Sequence, residues 1–327
     1  MPRGQLSSGR VNKTSLERRE VFRLIFVFAF PGYQPLLDLL MPFAQKGNFE
    51  INRFPNRELV VRVGTPVRSA HCVVLGSVAP PDEQLLSVAL LGHTLKKEGC
   101  RRLTALLPYL GYSRQDKEKS GESLAAAWIG SVLRTSGVDE VVTIDVHSQR
   151  DQQLFPIPLV SVFPAEIFAH SIRRCQLSDA TIVAPDNGAI LRCQAVNDAL
   201  GKPAIEVPYF EKKRDESGIK HNNLIGRIGM RTLIIDDILD TGGTLVSACE
   251  KLLQAGVGEI HIMVTHGLFT GTAWQKLWSL RVQQIFCTDT IPATKDILDE
   301  RRIVVLSIGQ LLKEQMTPLR DVSVSAG

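Results

Sequence analysis

What the sequence lacks narrows its class first. No two of its six cysteines (Cys72, Cys100, Cys175, Cys193, Cys249 and Cys287) stand at CxxC spacing, and no His-rich segment accompanies them. That argues against a zinc site or a disulfide framework. Most of the cysteines sit beside apolar runs and read as small core residues, which suits a reducing compartment. No apolar stretch reaches the about 20 uninterrupted residues that a bilayer helix needs. The most apolar segment, Val21 to Ala44, is broken by Arg23, Pro31, Pro35 and Asp38. It begins late for a signal peptide and shows no clear small-residue cleavage site, so a cytoplasmic protein that does not enter membranes is expected. A dominant charge is lacking too: 38 Lys and Arg against 34 Asp and Glu leave a net charge of +4. That is too weak to argue for nucleic acid, and no nucleic-acid partner is expected; it suits small anionic substrates equally well.

What is present is a soluble globular balance, 44% hydrophobic and 22% charged over 327 residues, enough for a real core in one large or two ordinary domains. Residues 1–20 are polar and basic and read as a disordered arm; residues 317–327 read as a tail. Between them strand and helix signals alternate. Short β-rich runs fall at Leu24–Phe30, Cys72–Leu75, Leu103–Leu107, Val141–Asp145, Thr181–Ala184, Thr232–Ile235 and Ile260–Val264. Helical patterns cover about Glu83–Glu98, Ser123–Thr135, Ala189–Leu200 and Thr244–Ala255. Such alternation means an α/β fold: mainly parallel sheets with helices on both faces. A faint echo between "LKKEGCRRLTALLPYLGY" and "LLQAGVGEIHIMVTHGLF" fits two related halves, 21–165 and 166–316, with the final helix crossing back onto the first. Ligands of open α/β sheets sit beyond the carboxyl ends of the strands, so residues just after strands carry the information.

The most specific string is "TLIIDDILDTGGTL", residues 232–245. A β-branched strand ends in Asp236 and Asp237; Asp240, Thr241, Gly242, Gly243 and Thr244 then open a helix. Glycines let the backbone fold around an anion, and free amides at the helix start can donate to phosphate oxygens. The Thr241 and Thr244 hydroxyls add donors. Asp236 and Asp237 suit sugar hydroxyls or hydrated magnesium. The Gly-Lys-Ser/Thr of a Walker loop is absent. This string resembles the phosphoribosyl-diphosphate loop of type I phosphoribosyltransferases and of ribose-phosphate diphosphokinases (PRPP synthetases).

Further segments favour the diphosphokinases. "NRFPNRELVVRV" (52–63) resembles their Phe-x-x-x-Glu segment, "PYLGYSRQDK" (108–117) their Pro-Tyr-x-Gly-Tyr-x-Arg-Gln-Asp run, and "TIDVHSQ" (143–149) their Asp-Leu-His segment. "VAPDNGA" (183–189) resembles Ser-Pro-Asp-x-Gly, and "EKKRDESG" (211–218) the flexible catalytic loop. The resemblance implies two phosphoribosyltransferase-like domains and transfer of the diphosphate of ATP to O1 of ribose 5-phosphate, with Mg2+ as cofactor. It implies Lys212 and Arg214 as catalytic residues. Phe54, Asn56 and Glu58, given by a neighbouring subunit, would contact ATP together with Arg114, Gln115 and His147. Asp236, Asp237 and Asp240 to Thr244 would hold ribose 5-phosphate, and His147 and Asp186 the metal. Shared ATP contacts imply a homo-oligomer built from dimers, with a hexamer as one form. The sequence departs from the pattern at Arg150, where the family usually has Gln, and after its first strand, which lacks the usual small polar loop. A non-catalytic regulatory homologue and a nucleobase phosphoribosyltransferase stay open as alternatives; the former would lose parts of the catalytic loop, and the latter would need neither ATP nor the segments around Phe54, Arg114, His147 and Lys212.

Overall fold

The computed structural model describes residues 25–202, 205–215 and 218–321, with side chains for all of these but 212–222 and 317–321. The N-terminal arm expected at 1–20 lies outside the described residues. In chain order the first half gives β1 (Ile25–Ala29), α1 (Gln34–Leu40), β2 (Gln45–Lys46), β3 (Phe49–Arg53), β4 (Leu59–Val63), β5 (His71–Leu75), α2 (Glu83–Lys97), β6 (Arg102–Leu107), α3 (Ala125–Thr135), β7 (Glu140–Ile144), α4 (Arg150–Leu154) and β8 (Leu159–Val162). The second half gives α5 (Ala165–Arg174), β9 (Thr181–Val183), α6 (Ile190–Ala199), β10 (Tyr209–Asp215), β11 (Gly218–Ile225), β12 (Arg231–Leu239), α7 (Gly243–Gln254), β13 (Glu259–Gly267), β14 (Val282–Thr288), α8 (Lys295–Asp299), β15 (Ile303–Leu306) and α9 (Gly309–Asp321).

Two parallel sheets result, ordered β2-β1-β5-β6-β7-β8 and β15-β14-β13-β12-β9. Two antiparallel hairpins, β3–β4 and β10–β11, stand apart from them. Apart from the edge strands β2, β8 and β15, the strands of both sheets are largely buried on both faces, which is why they read as continuous apolar runs rather than alternating ones. In β5, Cys72 and Val74 point to one core, Val73 and Leu75 to the other. The first core is closed by Leu85, Val88, Leu91 and Leu95 of α2, spaced three or four apart on one helix face, and by Ile129 and Leu133 of α3. The second is closed by Leu36, Leu37 and Leu40 of α1 and, from the far end of the chain, by Ile308 and by Leu312 and Met316 of α9. The last helix therefore does cross back onto the first sheet.

The internal echo has a local cause. At the end of α2, Gly99 N–H donates to Lys96 O and Cys100 N–H to Leu95 O, the paired bonds of a Schellman cap. The same pair recurs after α3 at Gly137 and Val138, after α6 at Gly201 and Lys202, and after α7 at Gly256 and Val257. After α5 it is made with Gln176, at φ +56°, in the glycine position. The repeated string is thus a helix stop before a strand, used in both halves. Five of the six cysteines are buried, Cys175 being half-buried, and all six are free thiols. Among the described residues no helix is long and apolar enough to cross a membrane.

Candidate active site

Strand β12 lies between β9 and β13, one strand in from the edge of the second sheet, and its carboxyl end opens between them. The chain leaves it through Asp240–Gly242 and enters α7. Gly242 sits at φ +87°, and a Cβ there would come within 2.7 Å of Trp274 Cα. Only glycine meets both conditions. The turn is tied down from the next strand: Leu268 N–H and Phe269 N–H donate to Leu239 O, and Thr270 N–H to Asp240 O. Thr241 and Gly243 are exposed at the mouth, leaving helix-start amides free to face an anion.

A cleft of about 380 Å³ opens over this turn, lined by Asp236, Asp237 and Asp240 to Thr244 together with Arg114, His147 and Asp186. The loops after β6, β7, β9 and β12 thus meet at one place, contributed by both sheets. Arg114 Nη1 reaches Asp240 Oδ2 at 2.7 Å, and His147 Nδ1 lies 2.6 Å from Asp237 Oδ2. Asp186 Oδ1 accepts from Gly188 N–H at 2.8 Å, closing the turn before α6.

The adjacent aspartates are held in opposite states. Burial raises Asp236 well above the usual carboxylate range, and the charges of Asp237 and Asp186 push it the same way. Burial would raise Asp237 too, but the His147 hydrogen bond and the Arg192 charge outweigh it and hold Asp237 below that range. The bond to Asp237 in turn raises His147, against its burial. The two carboxyls are thus pulled in opposite directions by different neighbours: His147 and Arg192 act on Asp237, whereas Asp236 faces the charges of Asp237 and Asp186. The remaining donors are oxygens, with His147 Nε2, suited to a hard divalent cation. Among the described residues no three His, Cys, Asp or Glu side chains are placed to hold a metal by themselves. A cation here would draw much of its shell from phosphates and water, as magnesium does.

Other expected residues lie elsewhere. Phe54, Asn56 and Glu58 form the exposed turn of the β3–β4 hairpin, where Asn56 Oδ1 accepts from Glu58 N–H and Phe54 N–H donates to Glu58 O. They do not line the cleft of their own chain. Gln115 points away from it and accepts from Ser123 Oγ at 2.6 Å. Lys212 and Arg214 belong to β10, in register with His221 and Ile219 of β11, and their side chains lie outside the described residues.

Sequence reasoning missed Asp145 and Arg192. Asp145 is buried at the end of β7, and burial pushes its carboxyl up to about 6 despite Arg192 beside it. Arg192 sits one turn into α6 with only 13% of its side chain exposed. An arginine in a helix reads as surface; only the buried acid across from it, 47 residues away, makes it otherwise.

Comparison with known proteins agrees with this architecture. The family described as the N-terminal domain of ribose phosphate pyrophosphokinase matches residues 43–137, and the phosphoribosyl synthetase-associated domain matches 192–323. The ribose-phosphate pyrophosphokinase of Mesorhizobium japonicum is 30% identical over 277 residues, covering 83% of this chain and 88% of that protein. That of Vibrio cholerae is 29% identical over 286 residues, covering 86% and 90%. The crystal structure of phosphoribosylpyrophosphate synthetase from Mycobacterium smegmatis superposes with a TM-score of 0.81 at 26% identity, covering 91% of this chain and 99% of that one. The chain belongs to the ribose-phosphate pyrophosphokinase (PRPP synthetase) family.

Proposed function

We propose that this protein transfers the diphosphate of ATP to O1 of ribose 5-phosphate, giving PRPP and AMP. The observation that carries the reading is the single cleft in which the Asp240–Thr244 turn faces Arg114, His147 and Asp186. The 5-phosphate sits on the amides and hydroxyls of Asp240–Thr244 at the start of α7, and Asp236 and Asp237 hold the ring hydroxyls. Arg114 and His147 hold the triphosphate of ATP from the opposite wall. The O1 hydroxyl attacks the β-phosphorus and gives up its proton to solvent; the bond from that phosphorus to the α,β-bridging oxygen breaks, and AMP leaves with that oxygen. Lys212 and Arg214, carried on the β10–β11 hairpin, meet the charge that grows on the transferring group. Mg2+, held by Asp186 and His147 with phosphate oxygens, would supply further charge neutralisation on the diphosphate.

The exposed turn at Phe54–Glu58 lies outside its own cleft and serves the ATP of a neighbouring subunit, so the working form is a homo-oligomer built from dimers. The chain divides into two phosphoribosyltransferase-like domains near residue 165 and works in the cytoplasm. The test is incubation with magnesium, ATP and ribose 5-phosphate, following nucleotides by chromatography. Sugar-dependent AMP without ADP is expected; ADP as product, or no dependence on the sugar, overturns the reading.

A further inference from the structure

The Arg192 guanidinium turns mainly to the Asp145–His147 segment of the opposite half rather than to the cleft. Its Nε donates to Asp145 Oδ1 at 2.7 Å, and Nη2 donates to Val146 O at 3.0 Å and His147 O at 3.1 Å. Nη1 donates to Gly188 O at 3.3 Å, and Nη2 lies 3.7 Å from Asp237 Oδ2. One planar fork thus spans the end of β7, the turn before α6 and the end of β12. Arg192 is not among the residues lining the cleft. The segment it holds is fixed from a second side: Thr265 Oγ1 of β13 donates to Asp145 Oδ2 at 2.6 Å, and His266 Nε2 lies 3.2 Å from Asp145 O. Asp145 is itself at φ +44°, a conformation that a non-glycine residue keeps only when its surroundings enforce it.

We propose that Arg192 is a positioning residue that, by clamping the Asp145–His147 segment of the first half onto the second, sets His147 against Asp237 across the cleft. The catalytic part of this inference rests on the function proposed above; the geometric part does not. A lysine keeps the charge, but its single nitrogen cannot serve the separate acceptors of Nε, Nη1 and Nη2. A methionine keeps much of the length and donates nothing.

The test uses the full-length Arg192→Lys and Arg192→Met variants in the AMP-forming assay, with melting temperature and folded fraction measured alongside. Displacement of a group by about 1 Å can cost about a hundredfold in rate. The expectation is a kcat lower by about that factor per folded molecule in both variants, with a raised KM for ATP. The KM for ribose 5-phosphate should change less than that for ATP, because the Asp240–Thr244 turn makes no contact with Arg192 and only Asp237, 3.7 Å from Nη2, lies near it. A purely structural role would lower the melting temperature and the folded fraction while leaving kcat per folded molecule unchanged, and would overturn the proposal. Full kcat in Arg192→Lys would overturn it as well, since charge alone would then suffice. Crystal structures of the two variants decide the geometric part even if the wild-type protein forms no AMP. His147 should leave hydrogen-bonding distance of Asp237; if the contact persists in both variants, Arg192 does not position it.

Discussion

Two adjacent glycines in the phosphate turn should respond to the same substitution in opposite ways. In Gly242→Ala the new methyl meets Trp274 Cα at 2.7 Å and Cβ at 2.9 Å, and the residue must hold φ +87°. The left-handed backbone costs about 1–2 kcal/mol for a residue with a Cβ. Overpacking costs about 1–3 kcal/mol more, because Trp274 is buried and its backbone cannot step aside as a flexible side-chain tip would. The total is about 2–5 kcal/mol, part of it released by opening the turn, which moves the amides proposed to hold the 5-phosphate. Gly243 has nothing within 4 Å of a Cβ and no positive φ, and it is the first residue of α7. Alanine there should leave stability within about 0.5 kcal/mol or raise it slightly. Thermal unfolding of both variants, followed by ribose 5-phosphate saturation, separates the two effects. Gly242→Ala should melt several degrees lower and show a raised KM for the sugar, whereas Gly243→Ala should melt like the wild type. If its methyl blocks the phosphate, Gly243→Ala loses activity without losing stability. Equal melting temperatures for Gly242→Ala and wild type would refute the argument from close approach and backbone hand.

Lys212→Ala should lower kcat by about a hundredfold or more with little change in either KM, as expected for a group that meets charge only in the transition state; near-full turnover removes Lys212 from the catalytic set. Phe54→Ala, at a side chain 49% exposed, should leave the melting temperature unchanged but raise the KM for ATP if the turn serves a neighbour's cleft; an unchanged KM would place ATP elsewhere. His71, buried on β5 with Nε2 2.8 Å from Thr104 Oγ1, is lowered to about 4 by burial and by Arg102. The unfolded chain therefore binds more protons than the folded one between pH 6.5 and 4, and about 3 kcal/mol of stability present above pH 6.5 is lost as the pH falls to 4. Urea unfolding across that range should show a shallower pH dependence in His71→Gln, and identical slopes would mean that His71 protonates without penalty.

The elements were largely legible because both sheets are parallel and doubly covered: strands such as "HCVVL" and "RLTALL" appear as unbroken apolar runs, and helices α2, α3, α6 and α7 each end in a glycine stop. The edge elements were less so. β15 was missed because "IVVL" follows a charged stretch, and its half-buried edge position gives no distinctive pattern. Of the site, the phosphate turn was readable since backbone demands and chemistry fall in one short string. Arg114, His147 and Asp186 were found through resemblance, and the structure brings them to the same cleft. Asp145 and Arg192 were not readable, since their meaning depends on a contact between halves that periodicity does not encode.

That contact also shows what the buried charges are for. Asp145, Asp237 and Arg192 are withdrawn from water together, at a place where apolar side chains of similar volume would fill the space at no greater cost in stability. The neighbouring core is made that way: Phe168, Ile172 and Ile235 belong to one apolar cluster with Cys193 and Val196 of α6. An ion network among such cores adds little stability, yet it is far more selective about geometry than methyl groups are, because each oxygen accepts only from a donor in the right direction. Here the directions are set by three separate strands, β7, β12 and β13, and one helix. A shift of either sheet against the other would leave a buried carboxylate unpaired, which costs several kcal/mol. The network therefore penalises relative motion of the two halves at the place where their loops face each other across the cleft.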